Sequence, residues 1–109
     1  MKLSIIICAY NEEATILQVL ARVHEVAFPP HWEREVIVVD NASTDSTPAL
    51  LQQIDYDDTR VIFQPRNMGK GTSIRTAIPH CTGDYVFIQD ADLEYDPGDY
   101  PRFLSRADE

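Results

Sequence analysis

The sequence predicts an α/β fold: a mostly parallel sheet with helices on both faces. Two observations carry this prediction. Four short runs are apolar at nearly every position, as strands covered on both faces are. The segments between them place apolar residues at helical spacing. Strand and helix in regular alternation build a parallel, Rossmann-like sheet sandwiched between helices.

The first strand is expected over residues 3–9, where Leu3, Ile5, Ile6 and Ile7 leave no polar face. Tyr10, Asn11 and Glu12 end it, and Glu12 and Glu13 supply acid for a helix first turn. Ile16, Leu17, Leu20, Val23 and Ala27 then predict a helix running to Phe28, where Pro29 and Pro30 stop it. The second strand, residues 35–40, is apolar from Val36 to Val39 and ends in Asp40. Ser43, Thr44, Asp45, Ser46 and Thr47 are capping residues, and Pro48 suits an early position in the helix that follows. Ala49, Leu50 and Ile54 give that helix its apolar side.

A polar turn at 55–59 leads to a short third strand at 60–64 and a loop containing Gly69 and Gly71. The next helix is expected over 72–80, ending near Pro79, and the fourth strand over 84–89. A last helix is expected over 99–106.

Length and charge narrow the class. The chain has 109 residues, 44% hydrophobic and 25% charged, which suits one soluble globular domain or part of one. A formal net charge of -9 excludes a nucleic-acid backbone as the main partner. It also sets a problem for any phosphate ligand, which meets a repulsive field unless cations intervene locally. Cys8 and Cys81 have no metal-ligand spacing, and two free thiols in a reducing cytosol are expected. The apolar start is short for a signal peptide, and Asn11, Glu12 and Glu13 follow in place of a cleavage site. No apolar stretch approaches the ~20 residues that span a bilayer. A cytoplasmic chain is the expectation.

In parallel sheets ligands bind beyond the carboxyl ends of the strands. Four polar segments converge there: Tyr10-Asn11-Glu12, Asp40-Asn41, the Arg66-to-Gly71 loop, and Asp90-Ala91-Asp92. Alternate residues leaving a strand point the same way, so Asp90 and Asp92 can meet one cation. Hard oxygen ligands suit Mg²⁺ or Mn²⁺, which keep positions open for phosphates. Two roles fit Asp40, a hydrogen bond to a nucleobase N–H or a cap on the next helix. Asp45 is read as a cap or first-turn residue of that helix. Tyr10 suits the base, and Glu12 either ribose hydroxyls or the helix dipole. Arg66, Lys70, Gly69 and Gly71 precede a helix N-terminus, a reasonable anion site, though no Walker A frame is present. Arg75 is either a third cation of the site or a solvated residue.

These segments together resemble the signatures of glycosyltransferase family 2: Ser4 through Glu13, Val38 through Asp45, Asn67 through Gly71, and Gln89 through Pro97. The last two look most like the dolichyl- or polyprenyl-phosphate sugar synthases of that family. The resemblance implies the N-terminal, donor-binding half of a GT-A fold, with residues 1–109 ending short of an acceptor half. It implies sugar transfer with inversion from a UDP- or GDP-sugar to a lipid-phosphate or saccharide acceptor, at the cytoplasmic face of a membrane in the full-length enzyme. Ala9, Tyr10, Glu12, Asp40 and Asn41 would hold the nucleoside. Lys70 and Arg75 would contact phosphate, with Ala91 beside the metal-binding Asp90 and Asp92. Cys8 stands where proline is usual, and Asn41 and Ala42 where Asp and Gly are common. A domain so divided is expected to self-associate. Two other classes fit less of the sequence: a receiver-type or other metal-dependent phosphate-binding domain, which would need more acids after the first strand, and a non-catalytic nucleotide-binding or assembly module.

Overall fold

The computed structural model describes residues 1–91 and Leu104. Within them the chain runs β1 (Lys2–Ala9), α1 (Ile16–Glu25), β2 (Glu33–Asp40), α2 (Thr47–Gln52), β3 (Thr59–Phe63), α3 (Lys70–Ala77) and β4 (Tyr85–Asp90). A 3-10 turn, Ile78–His80, follows α3. The four strands form one sheet of order β3-β2-β1-β4, and every pairing is parallel. The expected α/β fold is therefore the observed one.

β1 is the central strand. Ile5, Ile6 and Ile7 are fully buried, because successive side chains enter different layers. Leu3, Ile5, Ile7 and Ala9 join Val36 and Val38 of β2 under α1 and α2. Ile6 joins Ile37, Val39 and Ala77 under α3 on the other face. Leu104, helical and fully buried, belongs to the first of these layers.

α1 buries Ile16, Val19, Leu20 and Val23, the stripe that a 3.6-residue period lays on one face. Leu17, assigned to that stripe from sequence, is exposed, and Val19 takes its place. The helix also stops at Glu25, short of Phe28, with Val26 extended. Pro29 and Pro30 have no N–H to give the carbonyls of Glu25 and Val26, so helical bonding cannot continue past this point. Arg34 of β2 completes the ending: its guanidinium donates to the carbonyls of Val23 and Val26 and lies 4.8 Å from the Phe28 ring centroid. α3 starts two residues earlier than expected, at Lys70, because Gly69 adopts φ +83 and turns the chain into the helix. Pro79 lacks an N–H for the α pattern, so the last turn tightens to 3-10. The helix expected over 99–106 lies outside the described residues, apart from Leu104.

The amino ends of the strands are fastened by one carboxylate. Glu35 accepts hydrogen bonds from the Ser4 hydroxyl (2.6 Å), the Thr82 N–H (2.8 Å) and the Thr82 hydroxyl (3.0 Å). Lys2 Nζ donates to the same Thr82 hydroxyl. Gly83 passes so close that an added Cβ would lie 2.5 Å from Ser4 Oγ and 2.8 Å from Ser4 N. Partial burial works to raise the Glu35 carboxyl, but the Ser4 and Thr82 bonds and the Lys2 charge outweigh it and hold it below its ordinary 4.5.

Because its folded value is depressed, Glu35 contributes stability that is complete above about pH 4.5. That contribution is lost as pH falls through the lower folded value. Glu35→Gln should flatten the melting temperature between pH 6 and pH 3, and equal acid sensitivity in both proteins would refute the assignment. Gly83→Ala should destabilise the fold by about 2 kcal/mol through overpacking, read from urea unfolding.

Candidate functional site

The carboxyl ends of β1, β2 and β4 meet above a pocket of about 220 Å³ lined by Cys8, Ala9, Tyr10, Glu12, Asn41, Lys70, Ser73, Asp90 and Ala91. Strand register makes this meeting: Ala9 pairs with Asp40, and Cys8 with Asp90. A larger concavity, about 590 Å³, opens at the opposite end around Lys2, Arg34, Glu35 and Arg60. Its charges are largely committed to Glu35, Asp58 and His80, and it lies at the wrong edge for a ligand of a parallel sheet.

The loops over the pocket are tied to each other by side chains. Asn11, at φ 53, accepts the Thr44 N–H at 2.8 Å, while its own N–H donates to Ser43 Oγ. The Glu12 N–H donates to Thr47 Oγ1, and the Ser46 N–H to Glu13. Asp45 accepts from the backbone of Glu13 and Thr47. Although slight burial pushes its carboxyl up, bonds from Thr47 and the nearby N–H groups leave it lowered. The β1–α1 and β2–α2 loops thus form one unit.

Asn41 does the same across the pocket. Its Oδ1 accepts the Met68 N–H at 2.8 Å and its Nδ2 donates to Asn67 Oδ1 at 3.0 Å. Asn67 Oδ1 also accepts the Gly69 N–H, so the bonded path ends where α3 begins. An aspartate at 41 could not donate to Asn67, so the amide suits this pairing. Ala42 has φ 59, a conformation that favours glycine.

Lys70 Nζ lies 2.7 Å from Asp90 Oδ1 across the pocket, the side chains being 59% and 26% exposed. Cys8 lies beside this pair. Burial pushes its thiol up, Lys70 pulls it down and Asp90 pushes it up, with a raised value as the result. The thiol is a neutral wall of the pocket at physiological pH. Cys81 is raised as well, by burial and then by Glu35, and both cysteines are free.

Of the residues singled out from sequence, the pocket gathers Ala9, Tyr10, Glu12, Asn41, Lys70, Asp90 and Ala91. Asp40 is buried behind it, accepting from the Ser43 hydroxyl at 2.6 Å and the Ser43 N–H at 3.3 Å. Arg75 is exposed and donates to Thr72 of its own helix, outside the lining. Arg66 is exposed on the loop. Asp92 lies outside the described residues. Sequence reasoning missed Ser73, buried one turn after Lys70 and bonded to Gln64, and the pinning role of Asn67. Only helical spacing from Lys70 could have signalled Ser73.

Among the described residues no three His, Cys, Asp or Glu side chains gather into a metal cage. Mg²⁺ or Mn²⁺ held by one or two carboxylates plus phosphates needs none. Asp90 offers the hard oxygens, and the Lys70 ammonium already stands against it as a cation would. The donor set fits such an ion. Among the described residues no helix is long and apolar enough to cross a membrane.

A parallel sheet with acid, amide and ammonium groups gathered at its carboxyl edge is an α/β domain with its candidate ligand site where such sheets bind ligands. The chain belongs to glycosyltransferase family 2, whose sequence model matches residues 4–109. It is similar to the S. aureus TarS 1-349 structure in complex with UDP, with TM-score 0.83 and 28% identity, over 99% of this chain and 32% of that one. It is also similar to the mannosyltransferase PcManGT from Pyrobaculum calidifontis, in complex with GDP-Man and Mn²⁺. There the TM-score is 0.78 and the identity 33%, over 89% of this chain and 29% of that one. A third similar structure is S. aureus TarS 1-349 with UDP-GlcNAc, at TM-score 0.81 and 29% identity, over 97% and 30% of the two chains. The chain spans about a third of the length of these three matched chains.

Ala42→Gly should relieve the left-handed strain and stabilise the fold by about 0.5–1 kcal/mol, after the entropy that glycine adds to the unfolded chain. A lower urea midpoint for the variant would show that Ala42 is not strained.

Proposed function

We propose that the chain holds the donor site of a glycosyltransferase that moves a sugar, with inversion, from a nucleotide-diphosphate-sugar to an acceptor such as a polyprenyl phosphate. The observation that carries this is the opposed pair at the carboxyl edge, Asp90 and Lys70 at 2.7 Å, in a pocket walled by Tyr10, Glu12 and Asn41. The TarS structure bound to UDP-GlcNAc and the PcManGT structure bound to GDP-Man and Mn²⁺ support a UDP- or GDP-sugar donor.

Tyr10, 43% exposed at the lip, would lie against the base. Asp40 would orient the base, since a carboxylate has lone pairs beyond those Ser43 uses. Glu12 would accept from ribose hydroxyls. Lys70 would contact the diphosphate, and Arg75 could reach it only by leaving Thr72. Asp90, together with Asp92, would hold a Mg²⁺ or Mn²⁺ ion, which when bound neutralises charge developing on the leaving diphosphate. A lipid-phosphate acceptor would arrive with its oxygen ionised and need little help from a general base. A hydroxyl acceptor would instead need a carboxylate base. Val86 and Ile88, both exposed on β4, support self-association.

Calorimetry with UDP and GDP should give binding with Mn²⁺ and none with EDTA, and Asp90→Ala should abolish it while the fold persists. Equal affinity with Mn²⁺ and EDTA would sink the metal assignment. Asp40→Asn exchanges an acceptor oxygen for a donor and should weaken nucleotide binding by about 1–3 kcal/mol, metal dependence surviving. Undiminished binding of both nucleotides would remove Asp40 from the site. Light scattering at high concentration should exceed the 12.4 kDa chain mass if the β4 face pairs; a monomer mass would discard that part.

A further inference from the structure

We propose that Thr15 is a positioning residue of the candidate metal site: its hydroxyl holds the backbone carbonyl of Ala91 and so fixes how the chain leaves Asp90. The proposal rests on the donor-site reading above and adds to it a residue that touches neither metal nor nucleotide.

Thr15 occupies the N-cap position of α1, where a threonine oxygen ordinarily accepts a backbone N–H of the first turn. Here the side chain makes no such bond. Its hydroxyl instead donates to the Ala91 carbonyl at 2.9 Å, 76 residues along the chain. A Glu12 carboxylate oxygen lies 3.3 Å from the same hydroxyl. One hydroxyl has one proton, and of these separations only the shorter falls within the normal O–H···O range. The carbonyl therefore takes the proton. A side chain placed to cap its own helix serves the end of a distant strand.

The anchor is firm. The Glu12 carbonyl accepts the Thr15 N–H at 3.1 Å and the Ile16 N–H at 2.8 Å, and the Thr15 carbonyl accepts the Val19 N–H at 2.9 Å. The hydroxyl thus projects from backbone fixed both to the β1–α1 loop and to the first turn of α1. What it holds is the point where the sheet stops setting the chain's course. Asp90 is the last residue of β4 in register with β1, opposite Cys8. Ala91 follows, 4% exposed and in the same apolar layer as Ile16. Because a peptide group is planar, fixing the Ala91 carbonyl fixes the peptide unit that starts there. Asp90 is thereby constrained on both sides, by strand pairing before it and by Thr15 after it.

A carboxylate binds an ion well when it is already aimed, and the groups that aim it matter nearly as much as the ligand itself. Glu12 and Ala91 line the pocket, and Thr15 does not. In the donor-site reading the loop that carries Tyr10 and Glu12 meets the nucleoside. Thr15 then joins that wall of the pocket to the carboxylate that meets the metal.

To test this, Mn²⁺ alone is titrated into the parent, Thr15→Val, Thr15→Ala and Thr15→Ser, with the free ion read by electron paramagnetic resonance. Losing the hydroxyl proton should weaken Mn²⁺ binding about tenfold in the Val and Ala variants. Serine keeps the proton and should stay near the parent. At saturating Mn²⁺ all four proteins should bind UDP or GDP alike, which general damage to the pocket would not allow. Unchanged Mn²⁺ affinity in the Val and Ala variants overturns the proposal. So does a Ser variant as weak as those two, a matching loss of nucleotide affinity at saturating Mn²⁺, or no detectable Mn²⁺ binding by the parent. Should Thr15→Val not fold, Thr15→Ala removes the same proton without the branched bulk. If neither folds, the hydroxyl holds the fold and not the site, and the proposal falls. If the Mn²⁺ pattern appears but no protein binds either nucleotide, the role of Thr15 stands and the donor-site reading falls.

Discussion

Everything in this molecule depends on β1 having no free side. It pairs with β2 along one edge and β4 along the other, and its side chains are buried in two layers at once. Isoleucine at three consecutive positions satisfies both layers and favours the extended backbone. Because β1 fixes the register of both neighbours, it also fixes which strand ends arrive together. Cys8 opposite Asp90 and Ala9 opposite Asp40 are consequences of hydrophobic pairing several residues earlier. The site is thus assembled by a core that contains almost none of its chemistry.

How much of this could be read from the sequence follows from what each feature depends on. β1 and the second half of β2 were legible because burial on both faces leaves an apolar run that needs no knowledge of the partner; β3 and β4 show the same apolar run in sequence although Phe63, Val86 and Ile88 are exposed. The end of α1 was not legible, because it depends on Arg34, a residue of the next strand that takes the helix's last carbonyls. The start of α3 depends on a positive φ at Gly69 that spacing alone does not reveal. Within the site, residues at strand ends could be placed by counting. Asn41 and Asn67 could not be paired, since their bond joins loops 26 residues apart. The same limit hid Ser73, whose hydroxyl bonds Gln64 from the opposite side of the loop.

An acidic chain that meets a phosphate ligand must solve an electrostatic problem locally. In the donor-site reading, the solution would be a small number of cations at one edge of the sheet. Lys70 faces the pocket, while Arg66 and Arg75 stay exposed nearby. At the other end of the sheet, Lys2 serves the Glu35 fastening and Arg34 closes α1, so those cations act on the fold. The two ends of the same strands thus use charge differently, one to hold the scaffold and the other to line the candidate pocket.

The strand order also governs how the chain can assemble. β1 and β2 lie within the first 40 residues, joined by α1, whereas β4 spans residues 85–90. During synthesis from the amino end, the second edge of β1 cannot be paired until those residues have been made. Contacts between such distant segments form slowly, because a long loop must close before they are rewarded. Through that interval an isoleucine-rich strand edge stands open to any matching strand, including one from a second nascent copy. The central placement that makes β1 the most protected strand of the finished molecule makes it the most vulnerable one while the molecule is being built.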